Sequence, residues 1–472
     1  MKRVKQLAVI SLVFAMMFVL AACAGSNSKP SATNESNKAA VNNDNKPAAE
    51  ETEKPSEENP SAEETKFDLG GREIVFSAWW DGTPKGDTPE GEIALKRQKE
   101  VEEKYNVKIK YVSQDYWQTA EKLSSTVMAG APYADVVLVP DPLISGLLAG
   151  GYFTPLDDFM DVRVESKIPD EVIDAGSYQQ PKAYGFVRSF PLFDNTGMFY
   201  NKRIFQEAGL VTPTEAQENG TWNWDTFVDY AKKLTIDNSG DGKIDQWGVA
   251  GSPSAIGLGL IYSNDVMPYD EETHKFHLDS PNAIEGLDLM NKLYNEYKVV
   301  KRNEGNDWED PVKYFREGKI AMYPGGIWEA GSRMQNQMND EYSFVNFPKG
   351  PKANGFMVGL AQLHMNFIPK GVKDPKAVYK IWEDLQVWDN IEESDKEWAE
   401  TYFLDESSVN IALNTLKMLK FGRYGGLGFD DHFGPLSTDI ANGKVSPASG
   451  VAKIMPALQA NVDKMMQGSE QK

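Results

Sequence analysis

The chain contains a single cysteine, Cys23, among its 472 residues. One cysteine excludes an intramolecular disulfide and a cysteine-based zinc site. Histidine is also scarce, and four residues leave little material for a histidine metal centre. A chain without disulfides has to be stabilised by its hydrophobic core. The hydrophobic content of 41% and the eleven tryptophans are consistent with a large core divided among two or three domains.

Positive charge is also in short supply, because 49 lysines and arginines face 70 acidic residues. The resulting formal net charge of −21 argues against nucleic acid as a partner, since the phosphate backbone requires a basic surface. The same charge argues against broad electrostatic attachment to anionic lipid. We therefore expect no nucleic-acid partner, and contact with a membrane only through an anchor.

The residues before Cys23 have the features of an export signal. The first five residues include three basic ones, residues 7–20 carry no charge, and small side chains precede the cysteine. The apolar stretch is too short to span a bilayer comfortably. A cysteine directly after the cut resembles the lipobox of bacterial lipoproteins. We expect a signal peptide over 1–22 and a lipid on Cys23; the alternative is an ordinary signal followed by a free cysteine.

The segment after Cys23 differs in composition from the rest of the chain. Residues 24–66 are rich in Asn, Ser, Ala, Pro, Glu and Lys and contain no aromatic residue. Such a segment cannot bury enough apolar surface to order itself. We expect residues 23–66 to form a lipidated, disordered tether, with an interaction tail as the alternative.

The folded body begins near Phe67 with alternating strand and helix patterns. Apolar runs at 73–76, 107–112 and 134–139 predict strands, and helical periodicity separates them. This alternation predicts a parallel sheet with helices on both faces. Ligands of such sheets bind outside the carboxyl ends of the strands. The loops at 79–83, 114–117 and 140–143 are therefore the first places to look for a site.

Four sequence blocks follow one another along the body. The first comprises residues 134–137, 146–150 and 155–157, and the second comprises 200–202, 205, 207–210 and 221–222. The third runs over 314–322 into a Gly-x-Trp turn, and the fourth is 443–447. In this order and spacing they resemble the extracellular solute-binding proteins of ABC importers, in the sugar-binding group. The resemblance covers about residues 67 to 465.

The resemblance implies an α/β fold of the two-lobed, periplasmic-binding-protein-like kind (type II), with a ligand cleft between lobes joined by hinge segments. Lobe 1 would comprise 67–195 with 362–400 returning to it. Lobe 2 would comprise 196–361 with the C-terminal helices of 401–465.

The implied protein is a monomeric lipoprotein, not an enzyme, anchored at the extracytoplasmic face of the cell membrane. It would bind an extracellular solute and deliver it to the transmembrane subunits of an ABC permease, with no cofactor required.

Aromatic residues beside carboxylates in strand-end loops suit a sugar. Hydroxyl groups require directional partners, whereas the C–H face of a sugar ring lies against an aromatic ring. Core packing of the tryptophans is the alternative. Successive side chains of an extended segment point to opposite faces, so we expect only one of Trp79 and Trp80 to face the cleft. The candidate ligand residues are Trp79, Trp80, Asp81, Asp115, Trp117, Asp141, Trp328 and Glu329, followed by Tyr262, Asn264 and Tyr424.

An acidic loop matches the first half of an EF-hand-type calcium loop. Oxygen ligands fall at positions one, three, five, seven and nine, and glycine at six, but position twelve lacks the usual glutamate. Turns rich in Asp and Gly also occur without metal. A structural calcium ion and a metal-free turn therefore both remain open. The candidate ligands are Asp237, Ser239, Asp241, Lys243 through its carbonyl, and Asp245.

Three function classes follow from these observations. An oligosaccharide receptor is favoured, because the proposed cleft is rich in aromatic residues and poor in basic ones. A receptor of the same fold for a peptide, a siderophore or another small solute is the second. An anchored glycoside hydrolase is the third; it needs two carboxylates about 5–10 Å apart, and no segment resembles a hydrolase signature.

Overall fold

The structure is a computed structural model that describes residues 67–86, 89–178, 180–192, 195–360, 362–389, 391–422 and 424–470. The expected signal peptide over 1–22, the lipidated Cys23 and the tether that ends at residue 66 lie outside the described residues.

The strands are short and distributed along the whole body. They are β1 Arg72–Ala78, β2 Val107–Ser113, β3 Val136–Val139, β4 Thr196–Asn201, β5 Trp247–Ala250, β6 Tyr269–Asp270, β7 Lys275–Phe276, β8 Val300–Lys301, β9 Ile320–Gly326, β10 Tyr342–Val345, β11 Val358–Leu360, β12 Met365–Phe367 and β13 Leu419–Phe421.

Helices connect the strands and dominate the C-terminal part. They are α1 Pro89–Tyr105, α2 Thr119–Met128, α3 Asp141–Ala149, α4 Val162–Glu165, α5 Asp170–Ser177, α6 Lys202–Glu207, α7 Pro213–Glu218, α8 Trp224–Lys233, α9 Pro253–Ser263, α10 Pro281–Asn291, α11 Asp310–Arg316, α12 Pro375–Leu385, α13 Ile391–Tyr402, α14 Glu406–Asn414, α15 Phe429–Ala441 and α16 Pro447–Glu470. Among the described residues, no helix combines the length and the apolar content that a membrane crossing requires.

Lobe 1 contains a four-stranded sheet in the order β12-β3-β1-β2. Strands β1, β2 and β3 are parallel, and β1 pairs with β2 from Arg72 opposite Val107 to Ala78 opposite Ser113. Strand β12 returns from far along the chain and pairs antiparallel with β3. The carboxyl ends of β1, β2 and β3 therefore share one edge, where ligands of such sheets bind.

Lobe 2 contains a five-stranded sheet in the order β10-β4-β9-β5-β8. Strand β9 lies at its centre, is buried along its whole length, and pairs parallel with β5 and antiparallel with β4. Two smaller sheets pair β11 with β13 and β6 with β7. The carboxyl end of β9 opens into the turn that carries Trp328.

The buried side chains form two separate hydrophobic cores. One includes residues between Ile74 and Phe186 together with residues between Leu363 and Trp382. The other includes residues between Leu192 and Met357 together with residues between Ala399 and Val462. Each core defines one lobe, and the chain crosses between the lobes more than once. The α/β, two-lobed architecture expected from the sequence is therefore confirmed.

Two local expectations need correction. Ala399 falls in the range assigned to the returning part of lobe 1, but α13 buries it in the core of lobe 2. The Asp141-Pro142 pair is typical of an N-cap residue followed by the first helical residue, but Asp141 is itself the first residue of α3, after Pro140. Its carboxylate bonds to the segment before β12, which matters for the site.

Candidate functional site

Aromatic rings cluster at the carboxyl-end edge of the lobe 1 sheet. Trp79 follows β1 and lies edge-on to Trp80 at 4.9 Å and to Tyr116 at 5.2 Å between ring centroids. Tyr116, in the loop after β2, contacts Trp117 at 4.9 Å in the same manner. Trp80 remains 49% exposed and Trp117 65% exposed. We call Trp79, Trp80, Tyr116, Trp117 and His364 the aromatic wall.

His364 joins the wall from the segment that leads into β12. Its ring lies edge-on to Trp79 at 4.8 Å and to Tyr116 at 5.9 Å. Its Nδ1 atom accepts a 3.0 Å hydrogen bond from the backbone N–H of Asp141. Burial lowers the pKa of the imidazole to about 4, so the ring is neutral near pH 7.

Asp81 and Asp115 make local bonds to the loops that carry the wall. Oδ1 of Asp81 accepts from the backbone N–H of Thr83 at 3.1 Å, and hydrogen bonds from Thr83 lower the pKa of its carboxyl. Oδ1 of Asp115 accepts from the backbone N–H groups of Trp117 and Gln118, both at 3.0 Å. Both acids therefore shape the turns that present the aromatic rings.

Asp141 ties α3 to the segment before β12. Its side chain is buried, and Oδ1 accepts a 3.1 Å hydrogen bond from the backbone N–H of Leu363. Its own backbone N–H donates to His364, so two bonds in opposite directions join the first turn of α3 to residues 363 and 364. Asp141 thus fixes His364 within the aromatic wall.

Trp328 follows the carboxyl end of β9 in lobe 2, and its ring lies nearly parallel to that of Trp308. The ring centroids are 5.6 Å apart and the planes differ by 17°. The guanidinium of Arg333 lies 4.6 Å from the centroid of Trp308, and its Nη2 donates to the backbone carbonyl of Trp308 at 2.8 Å. Trp308 is nevertheless 64% exposed. Lobe 2 therefore presents a stacked aromatic pair at its own sheet edge.

Glu329, predicted to contact ligand, is buried beneath this pair. One carboxylate oxygen accepts from the hydroxyl of Tyr323 at 2.7 Å and from Nη1 of Arg333 at 3.1 Å, and the other accepts from the backbone N–H of Gly326 at 3.2 Å. Burial raises the pKa of the carboxyl. Its polar contacts are thus within lobe 2, where it holds the turn that carries Trp328.

The remaining three candidates are buried in lobe 2. The hydroxyls of Tyr262 and Tyr424 are hydrogen-bonded to each other, and burial raises the pKa of both phenols. Asn264 is fully buried; its Nδ2 donates to the carbonyl of Asn282 at 2.9 Å and to Glu285 at 3.0 Å. The contacts of all three join elements of lobe 2 to one another.

A cavity of about 880 Å³ lies between the lobes. Its lining on the lobe 1 side comprises Trp117, Asp141 and the exposed side of α3. Its lining on the lobe 2 side comprises residues near the start of α15 and near the end of α16. Its volume is within the range of about 300–1,000 Å³ typical of small-molecule sites. Trp117 is the one member of the aromatic wall among its lining residues, and neither Trp308 nor Trp328 is among them. A solute that contacts both aromatic sets must therefore extend beyond this cavity or be enclosed by movement of the lobes.

The lobes approach each other closely at one end of this cavity. A Cβ atom added to Gly426 would lie 2.6 Å from Oγ of Ser145 and 3.1 Å from its Cβ. Ser145 lies on α3 of lobe 1, and Gly426 lies just before α15 of lobe 2. A larger residue at position 426 would therefore require Ser145, or the backbone that carries it, to shift.

The acidic loop over 237–245 is held by its own hydrogen bonds. The carboxylate of Asp237 accepts from the backbone N–H groups of Gly240 at 2.6 Å and Gly242 at 2.8 Å, and Asp245 accepts from that of Ser239 at 2.8 Å. Within the described residues, no three acidic, histidine or cysteine side chains lie close enough together to hold a metal ion. Calcium binding by Asp237, Ser239, Asp241, Lys243 and Asp245 stays a prediction.

Sequence reasoning missed three residues of these sets. Tyr116 stands between two residues that were selected, Asp115 and Trp117, and the loop position alone could have included it. Trp308 lies between acidic residues just before α11, which is the same aromatic-beside-carboxylate signal. His364 carries no such signal, because its place depends on a hydrogen bond to a residue over 200 positions away.

A model of the family described as bacterial extracellular solute-binding protein matches residues 85–383, which is more than half of the chain. The chain therefore belongs to this family, as the four sequence blocks indicated. No curated protein matches the chain in sequence.

Solved structures of similar fold cover most of the chain. An ABC substrate-binding protein from Listeria monocytogenes, in complex with cycloalternan, is 18% identical, with a TM-score of 0.63, over 84% of this chain and 99% of that one. The maltose/maltodextrin-binding domain MalE from Bdellovibrio bacteriovorus, bound to maltotriose, is 14% identical, with a TM-score of 0.60, over 84% of this chain and 100% of that one.

A third structure of similar fold holds a different solute. UgpB from Mycobacterium tuberculosis, in complex with glycerophosphocholine, is 17% identical, with a TM-score of 0.62, over 84% of this chain and 100% of that one. At these identities the three likenesses show the fold alone.

Proposed function

We propose that this protein binds an extracellular oligosaccharide between its two lobes and delivers it to an ABC import permease. The observation that carries the proposal is the presence of exposed aromatic rings at the sheet edges of both lobes: Trp80 and Trp117 in lobe 1, and Trp308 beside Trp328 in lobe 2. Exposed aromatic rings that are grouped together, rather than scattered singly, are typical of a ligand-binding surface.

The chemistry of these edges suits a neutral, hydroxyl-rich solute. The aromatic rings offer flat apolar faces for the C–H faces of sugars, and Asp141 and His364 bring polar atoms to the same edge. The one basic side chain in the lobe 2 aromatic set, Arg333, is already paired with Glu309 at 2.7 Å and Glu329 at 3.1 Å. A phosphate or carboxylate on the solute would therefore find no unpaired cation in this set.

Membership of the solute-binding family supports a receptor role over an enzymatic one. Two of the solved structures of this fold hold sugars, cycloalternan and maltotriose, which favours a glycan as the solute here too. The cavity between the lobes and the separate aromatic sets fit a mechanism in which hinge bending closes the lobes about the solute. The closed form would be the one that the permease recognises.

A thermal-shift screen tests the proposed solute class. Maltotriose, cellotriose, xylotriose and mannotriose form the glycan arm, a set of tripeptides forms the peptide arm, and glycerophosphocholine forms the third. We expect at least one trisaccharide to raise the melting temperature, because ligand binding stabilises only the folded state. A shift with peptides or glycerophosphocholine and none with any glycan would overturn the proposal. Release of smaller sugars from a bound trisaccharide would instead indicate a hydrolase.

We further propose that Cys23 carries the lipid that holds the receptor at the extracytoplasmic face of the membrane. Tethering near a fixed permease raises the effective concentration of the receptor there. The Cys23→Ser variant should appear in the medium and still bind the glycan that the screen identifies. Retention of this variant in the membrane fraction, or loss of its binding, would show that Cys23 is not a lipid anchor alone.

A further inference from the structure

We propose that His364 is a ligand-contacting residue, which donates a hydrogen bond from its Nε2–H to a hydroxyl oxygen of the bound oligosaccharide. This inference rests on the proposed function, since it concerns the same site. It assigns a role to a residue that no sequence block or aromatic-carboxylate pattern identifies.

The position of the ring is the first support. His364 lies edge-on to both Trp79 and Tyr116, with centroid distances of 4.8 and 5.9 Å. These two rings follow β1 and β2, at the edge where ligands of parallel sheets bind. The imidazole therefore lies at this edge, next to the cavity between the lobes; Trp117 of the aromatic wall lines that cavity and His364 does not.

The hydrogen bond at Nδ1 fixes the tautomer. Nδ1 accepts from the backbone N–H of Asp141 at 3.0 Å, and an acceptor nitrogen cannot carry a proton. In the neutral ring the proton must then be on Nε2, which becomes a donor. The partner is a backbone N–H, which can only donate, so the bond keeps this direction for as long as the ring is neutral.

The donor at Nε2 has no protein partner. Among the described residues, the one hydrogen bond to this ring is the bond at Nδ1, and none is made by Nε2. His364 as a residue is only partly buried, although burial dominates the pKa of its ring. An oriented and unused donor at a partly exposed aromatic surface is suited to a ligand hydroxyl.

The donor also complements its polar neighbours. Carboxylates of the site, such as Asp141, accept hydrogen bonds only, whereas a sugar hydroxyl both donates and accepts. A neutral N–H donor therefore supplies the partner that carboxylates cannot. Burial keeps the pKa of His364 at about 4, so the ring remains this neutral donor across the ordinary pH range.

Nuclear magnetic resonance of the ¹⁵N-labelled Cys23→Ser chain tests the tautomer without any ligand. The chain has four histidines, and the spectrum of His364→Gln identifies the resonance of His364 by its absence. We expect the Nε2-protonated tautomer at pH 7. A proton on Nδ1, or a ring that titrates near pH 6.5, would overturn the inference even if glycans bind.

Calorimetry with the tightest-binding of maltotriose, cellotriose, xylotriose and mannotriose tests the contact. We expect His364→Phe, which keeps a flat ring but loses the donor, to weaken binding about tenfold. His364→Gln, which keeps an N–H donor, should stay within about threefold of the wild-type protein. Addition of the same trisaccharide should shift the Nε2 resonance of the wild-type protein, which requires no variant to fold.

The outcomes separate the two proposals. If no trisaccharide binds the wild-type protein, the proposed oligosaccharide function fails, and the role of His364 fails with it. If a trisaccharide binds equally well to His364→Phe and leaves the Nε2 resonance unmoved, the receptor function stands and the role of His364 is wrong.

Discussion

Oε2 of Glu329 lies 3.1 Å from Nη1 of Arg333, and both side chains are buried beneath the aromatic pair of lobe 2. A buried carboxylate is stabilised only when such partners replace its lost water. Tyr323 and the backbone of Gly326 supply the other two bonds. These bonds of Glu329 hold the turn that carries Trp328.

Removal of this buried charge should destabilise the protein. Glu329→Gln leaves Arg333 buried with a single carboxylate partner, and we expect the free energy of unfolding to fall by about 3 kcal/mol. The matched control is Glu304→Gln, because Glu304 also lies 3.1 Å from a basic nitrogen, that of Lys301, but is 72% exposed. The control should lose less than about 1 kcal/mol. Equal losses in urea unfolding would contradict the structural role of Glu329.

Gly426 should control how closely the lobes approach. Gly426→Ala places a Cβ 2.6 Å from Oγ of Ser145. We expect the free energy of unfolding to fall by about 1–3 kcal/mol and the radius of gyration in small-angle scattering to increase. Ser145→Ala removes this oxygen and should restore part of both effects. Gly146→Ala is the control, since a Cβ at Gly146 meets nothing within 4 Å. An unchanged radius in Gly426→Ala would show that the contact does not separate the lobes.

His364 should make the stability depend on pH. Burial lowers the pKa of its ring to about 4, below the value of about 6.5 in the unfolded chain. Between these values the unfolded chain binds the proton more tightly, so the stability contributed above pH 6.5 is lost as the pH falls toward 4.

Urea unfolding at pH 7.5 and 4.5 measures this effect. Between these two pH values we expect the free energy of unfolding to fall by about 2 kcal/mol more in the wild-type protein than in His364→Gln. Parallel losses in the two proteins would show that the histidine is not buried as a neutral group.

The acidic loop can be tested by titration with calcium. If the loop takes the ion through Asp237, Ser239, Asp241 and Asp245, the wild-type protein should release or absorb heat and Asp241→Ala should not. Asp229→Ala is the control, because Asp229 is an exposed acid paired with Lys233 on α8. No heat from the wild-type protein would leave the loop as a metal-free turn held by the carboxylate of Asp237.

The fold was largely readable from the sequence because each element is consistent with its neighbours. Apolar runs separated by helical periodicity predicted β1, β2 and β3, and the four blocks predicted two lobes. The return of residues 362–400 to lobe 1 was implied by the resemblance, but the antiparallel pairing of β12 with β3, more than 200 residues away, was not readable. Local patterns carry no information on such pairing, whereas a family resemblance does.

The sequence indicated the residue types at these sheet edges but not the role of each residue, and ligand contact by any of them stays a prediction. The strand-end position predicted Trp79, Trp80 and Trp117, because the carboxyl ends of parallel strands share one edge. Glu329 follows a tryptophan in the same pattern, yet its side chain points into lobe 2 toward Arg333. The direction of a side chain after a turn depends on tertiary packing, which neither composition nor spacing contains.

Calorimetric titration of the Cys23→Ser chain with the four trisaccharides is the most direct test of the proposed function. We expect one trisaccharide bound per chain, and we expect Trp328→Ala to weaken that binding about tenfold or more by removing the stacking ring. Trp247→Ala is the matched control, since Trp247 begins β5 at the opposite edge of the same sheet, and it should bind as the wild-type protein does. Binding that is unaffected by Trp328→Ala, or no binding of any trisaccharide, would contradict an oligosaccharide receptor with its site at these aromatic edges.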